Sequence, residues 1–182
     1  MDHAALRLLG AIVHGRSVAA IATLHDGLPF ASMIPFAVWL EPIVFELTAS
    51  KQTGERLRFI THVSRLSAHT RDMLESPQVC LLITAEEYSP GANGESKAIL
   101  SQALPRVSIP TVAEFIDREH PDHAAFSQAY LEKFPHAADW FQLGDFSIVA
   151  FEPAASRFIA GFARAMTVSP AQLLAAVRLP RQ

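Results

Sequence analysis

Cysteine occurs once, as Cys80, so no internal disulfide can form and a reducing, cytoplasmic setting is the simpler expectation. Cys80 falls within the apolar run Val79-Cys80-Leu81-Leu82-Ile83, where a free thiol serves as a small buried hydrophobe. Positive charge is also scarce: 15 Lys and Arg stand against 18 Asp and Glu, a formal net charge of −3. That balance argues against nucleic acid as a main partner, because phosphate-backbone binding needs a cationic surplus. No apolar run approaches the ~20 residues that span a bilayer, so no membrane partner is expected. Arg7 interrupts the apolar stretch Ala4–Val13 before it can read as a signal peptide.

Several motifs are missing as well. With one cysteine, thiolate-rich zinc sites are excluded, and no His-Glu-x-x-His occurs. The tight pair His120 and His123 reads as a polar turn, so no metal site is expected. Gly-x-Ser-x-Gly, Gly-x-Gly-x-x-Gly and Walker sequences are absent, which removes support from a serine hydrolase, a Rossmann site and a P-loop.

What is present is apolar patterning. Half of the 182 residues are hydrophobic and 18% are charged, which fits a single folded domain over residues 1–182. Ala4–Val13 reads as an amphipathic helix and Ser17–Thr23 as a strand. Asp26-Gly27 is a hairpin turn signal, followed by a strand over Pro29–Val38. Ile43–Thr48 reads as a further strand, Ala49–Glu55 as a loop and Leu57–Val63 as a strand. Leu66, Met73 and Leu74 share a helical face that Pro77 ends. Gln78–Thr84 reads as a buried strand, Glu86–Lys97 as a mobile loop and Ile99–Ile109 as a strand. Thr111 with Glu114 suggests a capping box opening a helix. Ala124–Phe134 reads as a helix, Phe146–Phe151 and Ala155–Met166 as closing strands. Ser169-Pro170 opens a terminal helix, Ala171–Val177. Strands before, between and after the helices, without βαβ alternation, favour a mainly antiparallel barrel with helices outside it.

The segment Phe59–Arg71 carries the clearest chemistry. A strand ends in Ser64-Arg65 and passes into a helix bearing His69, Thr70 and Arg71. Hydroxyls from Ser64 and Thr70, the planar fork of Arg65 and a helix N-terminus suit an anion such as a phosphate. An N-cap serine and a solvated arginine explain the same residues without a ligand. His69, in the first helical turns, is a stronger ligand candidate than His62, which alternates along the strand. Arg106 inside a strand must face solvent, a partner subunit or an anion. Gly161-Phe162-Ala163-Arg164 reads either as a bulge with a surface arginine or as part of a site.

Taken in order, these pieces resemble the pyridoxamine 5′-phosphate oxidase-like, FMN-binding split-barrel family, and within it the haem-utilisation (HugZ-like) branch. The resemblance rests on Pro29–Phe36, on Thr61–Arg71 followed by Ser76-Pro77-Gln78-Val79, on Pro105–Ser108, and on Gly144-Asp145-Phe146 with Arg157–Ala165. It implies a six-stranded antiparallel split barrel working as a homodimer, with FMN in a groove between subunits. It would set Ser32, Met33, Ile34 and Pro35 beside the flavin ring, partly through backbone groups. His62, Ser64, Arg65, His69 and Thr70 would surround the phosphate. Arg106 and the Phe162–Arg164 end would approach the flavin. The implied activity is a flavin-dependent oxidoreduction of an unassigned small molecule, with no protein acid or base assigned. The alternative is a non-catalytic flavin- or haem-binding or storage protein. Two departures argue against vitamin B6 oxidation: Leu66 stands where those oxidases carry lysine, and no histidine follows His136. The second also weakens haem, since haem-degrading relatives use a late histidine on iron. The stretch Glu41–Glu55 is longer than the family's usual link.

Overall fold

Asp26 and Gly27 both take left-handed backbone, with φ of 51° and 77°. Two such residues in succession make the tight turn whose twist suits a hairpin. In this computed structural model, which describes residues 1–47, 50–90, 96–98 and 101–180, they join β1 (Val18–His25) to β2 (Leu28–Pro35). The chain bends at Phe36 and continues as β3 (Ala37–Leu47), which pairs with β4 (Ser50–Ser64). Then come β5 (Gln78–Thr84), the short pair β6 (Tyr88–Pro90) and β7 (Ser96–Ala98), and β8 (Arg106–Ile116). β9 (Phe146–Pro153), β10 (Ser156–Ile159) and β11 (Ala165–Val168) complete the strands.

The main sheet has nine strands, along the path β2-β1-β5-β8-β9-β4-β3 with β10 and β11 attached through β8. Its ladders are antiparallel. The two ends of the path, β2 and β3, are consecutive in the chain, so one strand bent at Phe36 serves both edges. Counted that way the wall has the six strands expected; counted by ladders it has nine and is not closed. The Thr61 hydroxyl bridges the gap by donating to the Pro35 carbonyl at 2.7 Å.

Alternation along β4 divides the packing into two layers. Leu57, Phe59 and Val63 face a barrel core with Ile21, Phe36, Leu81, Ile109 and Phe151. That core is capped by α1 (His3–Gly15) and α4 (Pro170–Arg178). Ile60 faces outward to Phe126 and Tyr130 of α3 (His123–Lys133), beside the 3₁₀ segment Pro135–Gln142. Arg58 is buried in this outer layer, paired with Glu114 and reaching Glu152 at 3.5 Å. Each fully buried large apolar side chain contributes on the order of 1.5–3 kcal/mol.

Three expectations are corrected. No helix opens at Thr111. β8 runs through it, because pairing with β5 and β9 and the burial of Val107, Ile109, Thr111 and Ala113 outweigh a local cap. The Thr111 hydroxyl donates to the Glu152 carbonyl, and Glu114 takes Arg58. The expected loop over Ala49–Glu55 is the start of β4 from Ser50 on. Its polar residues are hairpin positions where Gln52, Thr53 and Glu55 face solvent, so no apolar period marks the strand. Ala155–Met166 is a hairpin, β10 to β11, with Ala163 at φ 57° in the turn. Ile99 lies outside the described residues, and the strand expected from it begins at Arg106. Gly91–Glu95, within the expected loop Glu86–Lys97, also lie outside them. No described helix is long and apolar enough to cross a membrane.

Candidate functional site

β4 ends at Ser64, and α2 (Ala68–Glu75) begins four residues later under an N-cap, Ser67, whose side chain makes no capping bond. Side chains tie this corner to β2. Ser32 Oγ and His69 Nδ1 lie 2.9 Å apart, and the Thr70 hydroxyl donates to the Ser64 carbonyl at 2.7 Å. With the Thr61–Pro35 bond, Ser32, Pro35, Ser64, His69 and Thr70 belong to one β2–β4–α2 corner. Asp145, just before β9, locks its base. The Ser64 hydroxyl donates to the Asp145 carboxylate at 2.9 Å, and the Arg65 N–H donates to the Asp145 carbonyl at 2.8 Å.

Those bonds change what the corner can bind. Thr70 is fully buried and its hydroxyl is committed. The Ser64 hydroxyl points its proton at a carboxylate. Of the three phosphate donors read from the sequence, Arg65 alone keeps an exposed side chain, and among the described residues that side chain has no hydrogen bond. His69 is half-buried, and burial holds its pKa below the ordinary value against the opposing pull of Asp72. A neutral imidazole held at Nδ1 leaves Nε2 able to ligate a metal. Leu66, three residues before His69, is 84% exposed, whereas Met33, 65% exposed, alternates with Ser32 and faces the other side of β2. Ile34 points into the core, so only its backbone can line a ligand.

The remaining candidates lie elsewhere. His62 is on the outer face of β4, stacked on Phe141 at 3.9 Å. Burial first, then His123 and Arg118, depress its pKa to about 4. Arg106 bonds the Leu104 carbonyl at 2.9 Å and lies opposite Ile159 of β10. Phe162 is 73% exposed on the β10–β11 turn, and Arg164 pairs with Asp2 at 3.2 Å. Neither has a hydrogen bond to the corner among the described residues.

One cluster was not read from the sequence. Asp72 of α2, buried, accepts from the Thr23 hydroxyl at 2.6 Å and from His25 Nδ1 at 2.7 Å. Burial pushes the Asp72 pKa up, but the bonds from Thr23 and His25 and the charges of His25 and Arg71 outweigh it, and the net shift is downward. The bond to Asp72 raises the His25 pKa. Parity offered a signal: Thr23 and His25 continue the inward series Ala19, Ile21 on β1, and inward polar groups require partners. No group of three or more possible metal ligands occurs among the described residues.

Comparison with known proteins places this geometry in a family. Residues 8–160 match the pyridoxamine 5′-phosphate oxidase family. The chain is 34% identical over 141 residues to the non-canonical heme oxygenase HOZ, chloroplastic, of Arabidopsis thaliana, covering 78% of this chain and 35% of that protein. The heme binding protein from Mycobacterium smegmatis superposes with a TM-score of 0.70 at 21% identity, covering 96% of this chain and 62% of that one. HutZ, the heme storage protein from Vibrio cholerae, superposes with a TM-score of 0.59 at 20% identity, covering 78% and 84%. The chain therefore spans only part of the first two relatives, and the two structural likenesses show the fold alone. On the match across most of its length, this chain belongs to the pyridoxamine 5′-phosphate oxidase family.

Proposed function

We propose that the chain binds haem at the β2–β4–α2 corner, with His69 as the iron ligand. The observation that carries this is the Ser32–His69 bond of 2.9 Å, with Leu66 exposed on the turn between β4 and α2. With Nδ1–H donating to the Ser32 oxygen, a neutral imidazole leaves Nε2 for a metal, and imidazole suits iron. Leu66 would meet the porphyrin face, and Arg65 with Arg71 would meet its carboxylates. Bound haem supplies an iron centre for storage or for oxygen chemistry. The residues of the corner bind and orient it, and none is assigned as acid or base. The haem-related names of the relatives support the same class of ligand.

A second reading keeps FMN, and the exposed, unbonded Arg65 guanidinium favours it. The Asp145 carboxylate on Ser64 counts against it, since a dianionic phosphate would lie beside a like charge. Titration of the purified chain separates the two. Haem should produce a saturable Soret band, and His69→Ala should weaken binding at least tenfold, about 1.4 kcal/mol or more. An unchanged affinity in that variant removes His69 as ligand. Saturable FMN binding that Arg65→Ala abolishes, with no Soret band on adding haem, moves the assignment to the flavin. Loss of the Soret band on adding a reductant in air would add turnover to binding.

A further inference from the structure

A cavity of about 340 Å³ opens on the outer face of β4, away from the barrel core. That volume is in the range of small-molecule sites. His62 forms part of its wall, together with Phe141 and Phe146. The imidazole is stacked on Phe141 at 3.9 Å and 5°, and Phe146 lies 4.9 Å away. His62 Nδ1 is sealed from solvent and has no hydrogen-bond partner. A sealed N–H without an acceptor costs more than a sealed lone pair, so the ring proton belongs on Nε2. Nε2 is not among the sealed atoms, and it is the donor the ring has left for the cavity.

The charged groups that act on the His62 ring itself are of one sign. His123 and Arg118 are the groups that act on the His62 ring, and both oppose a proton there. Asp117 and Glu119, exposed like Arg118, also line the cavity, so its rim carries both signs. Arg118 Nη2 donates to the Leu143 carbonyl at 3.1 Å, which pins the arginine at the rim and leaves its other nitrogens for a ligand. Arg65 lines the same cavity. The buried Ile116 and Ile148 supply apolar wall.

We infer that this cavity binds a small organic carboxylate with a flat apolar body, its carboxylate held by His62 Nε2–H and Arg118 and its body against the Phe146 side. The two groups that hold the carboxylate, Arg118 and His62, take no part in the β2–β4–α2 corner, although Arg65 borders both sites. Benzoate is the probe. Titrated into the full chain by calorimetry, it should bind saturably and move the His62 ring resonance in the NMR spectrum. Arg118→Gln should weaken binding about tenfold, the loss of one charged hydrogen bond, while the Soret titration stays that of the parent. His62→Phe, which keeps the stack and removes the donor, should do the same; if that variant does not fold, Arg118→Gln decides alone. Absence of saturable benzoate binding overturns the inference, as does parental affinity in Arg118→Gln. Inorganic phosphate binding as tightly as benzoate also overturns it, because the flat body would then contribute nothing.

Discussion

At the scale of single residues, the Thr23–Asp72–His25 cluster fastens α2 to β1, and its charge state makes that attachment depend on pH. The folded His25 pKa is raised, so its contribution is complete below the ordinary histidine value of 6.5 and is lost as pH rises through the raised value. The folded Asp72 pKa is lowered, so its contribution is complete above the ordinary 3.8 and is lost as pH falls through the depressed value. The attachment is therefore strongest between 3.8 and 6.5. Asp26 and Arg71 modulate His25 from either side. Asp72→Asn should lower stability by about 1–3 kcal/mol, the cost of impairing a buried, fully bonded acceptor. Its Tm plotted against pH should be flatter than the parent's at both ends, whereas His25→Gln should flatten the alkaline side and only part of the acid side, since Thr23 and Arg71 still hold the Asp72 pKa down. Parallel curves for parent and variants would show that the cluster does not titrate with folding.

At the scale of elements, α1 and α4 approach so closely that a glycine is required between them. A Cβ on Gly10 would lie 2.3 Å from the Ala176 carbonyl oxygen, a backbone atom that cannot swing aside. His14 Nε2 reaches the Val177 carbonyl at 2.7 Å one turn further on. Gly10→Ala should therefore destabilise by about 1–3 kcal/mol through overpacking, although alanine is the better helix former by about 1 kcal/mol. Chemical denaturation measures the sign, and a stabilised variant would mean the helices part without cost. The same clasp shows where local signals suffice. Ser169, Pro170 and Gln172 form a complete capping box, and the helix begins where those residues announce it. Thr111 and Glu114 carry the same local signal and form a strand, because each is held by a partner distant in the chain: Glu152 for the threonine, Arg58 for the glutamate.

At the scale of the whole molecule, β2 is an edge of the sheet path and leaves apolar side chains exposed. Leu28 is 70% exposed, Met33 65% and Phe30 38%. Exposed apolar edges attract partners, and we propose that two copies associate along this strand, the homodimer that the family resemblance implies. Light scattering on a sizing column should give twice the chain mass for the parent, and Leu28→Asp should shift it toward one. A parent of single mass refutes the assembly, and a double-mass Leu28→Asp moves the interface to another face.

Residues near one another in sequence determined much of this protein. The Asp26-Gly27 turn, the Ser169 cap, the apolar face of α1 and the antiparallel, family-specific order of elements all follow from φ preferences, capping and periodicity, which act over a few residues. The Ser64–Arg71 run was legible as a candidate ligand address for the same reason. Tertiary structure decided what that address can hold. Asp145 reaches Ser64 from 81 residues away, Ser32 meets His69 across 37, and strand parity turns His62 to the opposite face of the sheet. Those contacts commit hydroxyls, orient an imidazole and open a separate cavity, and they exist only once strands distant in the chain have paired.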